Sequence, residues 1–278
     1  MAKMKIQISK DDFEQSILAA TSSHSEVFES VEPHFKESYL RLSQQILGEV
    51  GEAALETSDD LREAVIKAVC LDAFLGVVRH LDLVLTPTGF GVVANNEVTP
   101  ASSSRVEALI EQCRIALIVA QDTVMSHLTV VSGWGSTLQA QQGIQTVVWS
   151  MEGYCYLTRQ TSMTSKDWMS KLAAMQEADA TLRKLVSDEQ MDDIMCLVRG
   201  VREGNEFEGC VRLMLSRSLI MLANDMLSAY SNERARLLRY FDAHLDNFPI
   251  YADSSAYKAN HFKEFNNEKS KPAFVFNA

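Results

Sequence analysis

DDLREAVIKAVCLDAFLGVVRHL, residues 59–81, decides the fold class. Leu61, Val65, Ala68, Val69, Ala73 and Val77 recur at the three-to-four spacing of one helix face. Phe74, Leu75 and Val78 widen that stripe until little of the second half is polar, so the helix is buried nearly all round. Thr57, with Asp60 three positions on, is placed to cap it. Upstream, Pro33 opens a second helical run, EPHFKESYLRLSQQILGEV, with Phe35, Tyr39, Leu42, Ile46 and Val50 on one side. Gly51 loosens its end. Nearer the N-terminus, Lys5–Ile8 alternates like a short strand, and Ser9 with Asp12 forms a capping box for a first helix over DDFEQSIL.

Downstream the pattern breaks. LDLVLTPTGFGVVANNEVTPAS, from Leu81 to Ser102, reads as strand, turn, strand: Leu83–Leu85 and Phe90–Val93 are apolar and β-prone, and Thr86-Pro87-Thr88-Gly89 supplies a turn. Thr99–Pro100 then places a cap and a first-turn proline before a long helix to about His127. Glycines 133, 135, 143 and 153 and the β-prone run Ile144–Trp149 predict a turn-rich connection with one or two strands. Helices resume at SKDWMSKLAAMQEADATLRKLV, at DEQMDDIMCLVRG behind a Ser187/Gln190 capping box, and at FEGCVRLMLSRSLIMLANDMLSAY. From Asn247 helical period is lost and aromatics stud the sequence. The expected fold is mainly α, helix bundles with a small β-hairpin insertion and an extended C-terminal arm. Its parts are a helical half over 1–130 with the hairpin near 82–94, a connection over 131–163, a second helical half over 164–246, and the arm over 247–278. In each half a short amphipathic helix precedes a long apolar one (44–55 then 61–81; 188–199 then 206–230), the mark of two related halves or of a chance recurrence.

The 278 residues are 46% hydrophobic and 23% charged, an ordinary globular composition. Uncharged stretches around 115–131 and 213–223 are interrupted by Gln121, Asp122, His127 and Arg217, which speaks against membrane spans. Cys70, Cys113, Cys155, Cys196 and Cys210 are odd in number and form no CxxC pair, and four of them lie inside apolar helical or strand patterns, as expected of buried thiols in a reducing compartment. A net charge of −11 argues against a nucleic-acid-binding surface, though not against a wall that DNA merely passes. The six histidines have no ligand spacing, so no metal is expected. Gly89–Phe90–Gly91 precedes a strand rather than a helix, the wrong context for a dinucleotide cradle, and no cofactor is expected. Ser132–Ser136 lacks the GxSxG turn. Asp59–Asp60 and Asp192–Asp193 sit at helix starts, where they complement the dipole. Nothing in the sequence looks like catalysis. The methionines of the second half read as adaptable core filler or as a peptide groove.

A two-stranded hairpin cannot stand alone in water. It either folds back on its own helices or adds its edge to a neighbour. Aromatics in an extended tail likewise need something to bury against. Leu83, Leu85, Pro87, Phe90 and Val92 in the finger are therefore candidate assembly-interface residues. So are Phe248, Tyr251, Tyr257, Phe262, Phe265, Phe274 and Phe276 in the arm. The arm is faintly cationic, with Lys258, Lys263, Lys269 and Lys271 against Asp253, Glu264 and Glu268, and suits an acidic neighbour.

Leu81–Ser102 with the helix beginning Arg105-Val106 resembles a family of uncharacterised proteins encoded by tailed phages and prophages of Bacteroides-type gut bacteria. Trp134, the Thr146–Trp149 run, and the tail with Pro249, Tyr251, Tyr257 and a Phe-rich terminus resemble it too, so the likeness covers most of the chain after about Glu37. The resemblance implies a virion protein of the head–tail connector or adaptor kind, made in the host bacterial cytoplasm and residing in the virion neck. Its partners would be copies of itself in a ring and the portal and tail proteins, with DNA passing but not specifically bound. On that reading truncation after His244 leaves a folded but assembly-defective protein. The alternative is a soluble intracellular α-helical protein that binds a peptide or protein without catalysis.

Overall fold

The computed structural model describes residues 4–17, 25–81, 83–86, 89–92 and 102–261. Among them the chain is mainly α. The first half holds α1 (Lys10–Ser16), α2 (Ser25–Leu42), a π-helical turn (Ser43–Leu47), α3 (Gly48–Ala54), α4 (Asp59–Val77) and α5 (Ser103–Leu128). Two short helices follow, α6 (Leu138–Gly143) and α7 (Met151–Thr158), and then α8 (Ser165–Val186), α9 (Asp188–Val198), α10 (Glu206–Ala223) and α11 (Leu227–Ala243). The described chain closes with α12 (Pro249–Asp253) and α13 (Ser255–Asn260). α4 lies against α2 and α5, and α10 against α8 and α11. One continuous hydrophobic core runs from Ile6 to Tyr251.

The capping box of α1 forms as its sequence requires: Ser9 Oγ accepts from Asp12 N at 3.2 Å, and Asp12 Oδ2 accepts from Ser9 N at 2.8 Å. The cap of α4 is Ser58, not Thr57. Thr57 instead spends its hydroxyl on Ala54 O, closing the preceding helix, and Ser58 Oγ takes the Leu61 N–H. Pro33 does not open α2 but sits inside it. The extra N-terminal turns bring Phe28 to within 5.8 Å of Phe13 and 5.9 Å of Phe35, and Val31 into the core. That burial outweighs the backbone bond the proline forgoes. Residues 5–8 take no regular structure.

The expected strands over Ile144–Trp149 are also absent. Ile144, Val147 and Val148 are buried among helices, with Arg199 Nε donating to Ile144 O and Thr146 Oγ1 to Val148 O. Their β-branched composition serves burial here rather than pairing. Just upstream, Trp134 Nε1 and Gln139 Nε2 donate to Ile46 O and Gln44 O of the π turn.

Between α4 and α5, β1 (Leu83–Thr86) and β2 (Gly89–Val92) form a two-stranded antiparallel sheet, registering Leu83 with Val92 and Leu85 with Phe90. The expected turn residues Pro87 and Thr88, and the cap at Thr99–Pro100, lie outside the described residues.

The expectation of an extended arm is overturned from Asn247 to His261. Pro249 starts α12, Ser254 caps α13, and both helices pack on the body. Gln190 explains part of this. Ser187 Oγ caps α9 by accepting from Gln190 N, but the Gln190 side chain does not return to close a box. Its Oε1 accepts the buried Tyr251 N–H at 3.1 Å and so ties α12 to α9.

Candidate assembly surfaces

The predicted interface residues divide three ways. Leu83, Leu85, Phe90 and Val92 lie in the strand pair. With only two strands in that sheet, each has one edge without a strand partner among the described residues. Phe248 and Tyr251 are core residues of this chain, with ring centroids 4.8 Å and 4.4 Å from Phe241. Tyr257 packs edge-on to Tyr251 at 5.5 Å, and Asn260 Nδ2 donates to Leu185 O and Tyr251 Oη. Phe248 and Tyr251 are thus spent on the protein's own core, and Tyr257 is half-buried beside them. Pro87, Phe262, Phe265, Phe274 and Phe276 lie outside the described residues.

The described surface carries two sizeable grooves, the smaller of them methionine-lined. The larger, about 620 Å³, opens between the end of α5, the loop after α9 and α10. Its wall is a close crossing of backbones: a Cβ on Gly200 (φ +73°) would lie 1.7 Å from Thr129 O, and one on Gly135 2.3 Å from Arg199 O. Val130, 85% exposed, and Val201, 44% exposed, stand beside it. Two arginines line the groove in different states. Arg202 is held by Asp193 at 2.7 Å and Glu208 at 2.6 Å, and its hydrogen bond to Glu208 keeps that carboxyl below the usual carboxylate range. Arg212 has no hydrogen bond or ion pair from its guanidinium among the described residues, and burial pulls its pKa below the ordinary arginine value.

The smaller groove, about 400 Å³, lies between α7 and the end of α10. On its floor Asn224 joins Tyr154 Oη (3.2 Å) and Lys171 Nζ (2.7 Å). Met221, Met226 and Arg217 also line it. Beside it the α10–α11 turn forms a knuckle. Asp225 takes the left-handed conformation (φ 56°), which Asp tolerates better than most residues. The next two side chains, Met226 and Leu227, are 51% and 65% exposed. In sequence Arg212 and Asp225 read as ordinary interruptions of an apolar helix and of its end. That neither has a charged partner among the described residues becomes visible only in three dimensions.

The remaining chemistry is sparse. No group of three or more metal-ligating side chains occurs among the described residues. The five cysteines are free, but only Cys70 and Cys113 are buried as expected; Cys155 and Cys196 are half-buried and Cys210 is exposed. No described helix is long and apolar enough to cross a membrane. Asp122 is the exception among buried acids: burial pushes its carboxyl up to about 7, Met151 N–H opposes that shift at 2.8 Å, and Glu152 adds to it.

No curated protein and no solved structure matches the chain. A family described as "Family of unknown function (DUF6712)" matches residues 32–137, from within α2 to the cap of α6, less than half of the chain. That stretch, which carries the strand pair and Trp134, is what is similar to the family.

Proposed function

We propose that the protein is a structural subunit of a tailed-phage virion, a head–tail connector or adaptor that forms a ring in the neck between portal and tail. The observation that carries this reading is the strand pair. Two long helices packed on each other, α4 and α5, present between them a two-stranded sheet whose outer edges have no strand partner among the described residues. Such a sheet gains stability by adding to a strand of a neighbour. The acidic chain suits a wall past which DNA slides without being held. The resemblance of the Leu81–Ser102 finger with the helix after it, of Trp134 and of the Phe-rich terminus to proteins of tailed phages points the same way. The test is to mix the full chain with the portal protein of the same virion and measure the mass of the complex. A stoichiometric ring that is lost on Val84→Pro, which removes a ladder donor, is expected. A chain that neither self-associates nor joins the portal overturns the reading.

A second reading, a peptide-binding α-helical protein, is favoured by one feature, the groove bearing Met221 and Met226 with Arg217 at its side. It predicts a monomer whose groove is saturated by an apolar acidic peptide.

A further inference from the structure

The two ends of α10 carry surfaces of opposite character. Near its start lies the groove with Arg212, a partly buried cation without an acceptor among the described residues, flanked by the exposed side chains of Val130 and Val201. At its end stands the knuckle, where Asp225, without an ion pair among the described residues, is followed by the exposed Met226 and Leu227. The groove is mixed, with Arg202, Glu203 and the hydroxyls of Ser126, Thr129 and Ser132 beside the valines. A partly buried guanidinium without an acceptor calls for a carboxylate, because a charge buried without a partner costs more than a paired one. The knuckle offers that chemistry, and the groove has the volume of sites that take a few side chains.

One helix separates the two surfaces. At about 1.5 Å per residue, Arg212 and Asp225 are about 20 Å apart along it, so a chain cannot insert its own knuckle into its own groove. We infer that the knuckle Asp225–Leu227 of one copy docks in the Arg212 groove of the next copy. The contact joins two different patches and is therefore head-to-tail, the kind that closes a ring or propagates a filament. This inference rests on reading the chain as a self-assembling subunit, and adds the contact through which it assembles independently of the strand pair. The chain's net charge of −11 disfavours unsteered self-association, so a local cation facing a local acid sets the register.

A charge swap in the full chain tests this by sedimentation across a concentration series. Arg212→Glu and Asp225→Arg should each raise the self-dissociation constant at least about tenfold, since each sets like charges face to face. The double variant restores opposite charges and should return most of the affinity. Asp225→Asn keeps a residue that tolerates the left-handed turn, so its weaker association cannot be laid to misfolding. Single variants that assemble like the wild type overturn the inference. So does a double variant no better than the singles, or a wild-type chain that stays monomeric at every concentration. The connector reading is decided separately: assembly on the portal that is lost with Val84→Pro but not with Arg212→Glu leaves it standing and sinks this contact alone.

Discussion

The indole N–H of Trp134 donates to the carbonyl of Ile46 at 2.9 Å, across 88 residues of sequence, with both side chains buried. Ile46 lies in the π turn over Ser43–Leu47, so the bond ties that turn to the segment before α6. Trp134→Phe keeps most of the packing but removes this buried bond to Ile46 O. It should cost about 1–3 kcal/mol in urea unfolding. Gln139→Ala removes the neighbouring donor to Gln44 O, but Gln44 is exposed and water replaces the bond, so that change should stay within about 0.5 kcal/mol. Equal losses would mean that the indole bond carries no special weight.

Asp122 gives a pH dependence with a definite sign. Its folded pKa of about 7 lies above the ordinary carboxylate value, so the native state holds the proton more tightly than the unfolded chain. Stability therefore falls as pH rises from about 4 to about 7 through this group, and the penalty of the buried charge is complete above that window. Asp122→Asn keeps an acceptor for the Met151 N–H and removes the charge. The variant should be more stable than the wild type at pH 8, and the gap should close toward pH 4. Denaturant midpoints at the two pH values decide it. A gap independent of pH would mean that Asp122 stays ionised throughout.

Signals that act within a turn or two of chain were readable in the sequence. The Ser9/Asp12 box and the apolar faces of α4 and α10 follow from local spacing, and the structure forms them. Apart from the one-residue slip of the α4 cap from Thr57 to Ser58, the main failures came from distant partners or from elements too short to show a period. Pro33 was read as a helix start, yet Phe28 and Val31 extend α2 past it by packing on α1 and on the rest of the core. Ile144–Trp149 reads as a strand because β-branched residues suit burial as well as pairing. The tail beyond Asn247 lacks helical period because α12 and α13 are too short to show one. Of the candidate interface, the strands were placed from sequence, whereas Phe248 and Tyr251 were assigned outward although they face Phe241.

His261 closes the described chain as a latch. Its Nε2 meets Asp242 Oδ1 on α11 at 3.0 Å, its Nδ1 lies 2.9 Å from Tyr257 O, and its ring stacks on Tyr257 at 4.2 Å. The Tyr257 carbonyl first, and Asp242 after it, raise the imidazole above its usual value against a small opposing effect of burial. A raised folded pKa means that the contribution is whole below about 6.5 and is lost as pH rises through the folded value. The protection of α13 amides relative to their intrinsic, base-catalysed exchange should therefore fall at alkaline pH. Asp242→Asn should lower the His261 midpoint in an NMR titration, and an unchanged midpoint would remove Asp242 from the latch.

Truncation at two points separates the contribution of α12 and α13 from that of the residues after His261. Ending the chain after His244 deletes Phe248 and Tyr251, both buried against Phe241, together with the backbone N–H that satisfies Gln190. Each buried aromatic is worth about 3 kcal/mol or more, and a domain's whole stability is about 5–15 kcal/mol. A chain of residues 1–244 should therefore melt far below the full-length protein or fail to unfold cooperatively, rather than remain folded and merely fail to assemble. A chain ending after His261 keeps α12, α13 and the His261–Asp242 contact, and should melt within about 2 °C of the full length. That longer truncation is the one suited to asking whether Phe262, Phe265, Phe274 and Phe276 serve assembly: loss of the multi-subunit species with an unchanged melt assigns them to a neighbour. If residues 1–244 melt like the whole chain, α12 contributes nothing to the core, and its packing against α9 is not what holds this end of the molecule together.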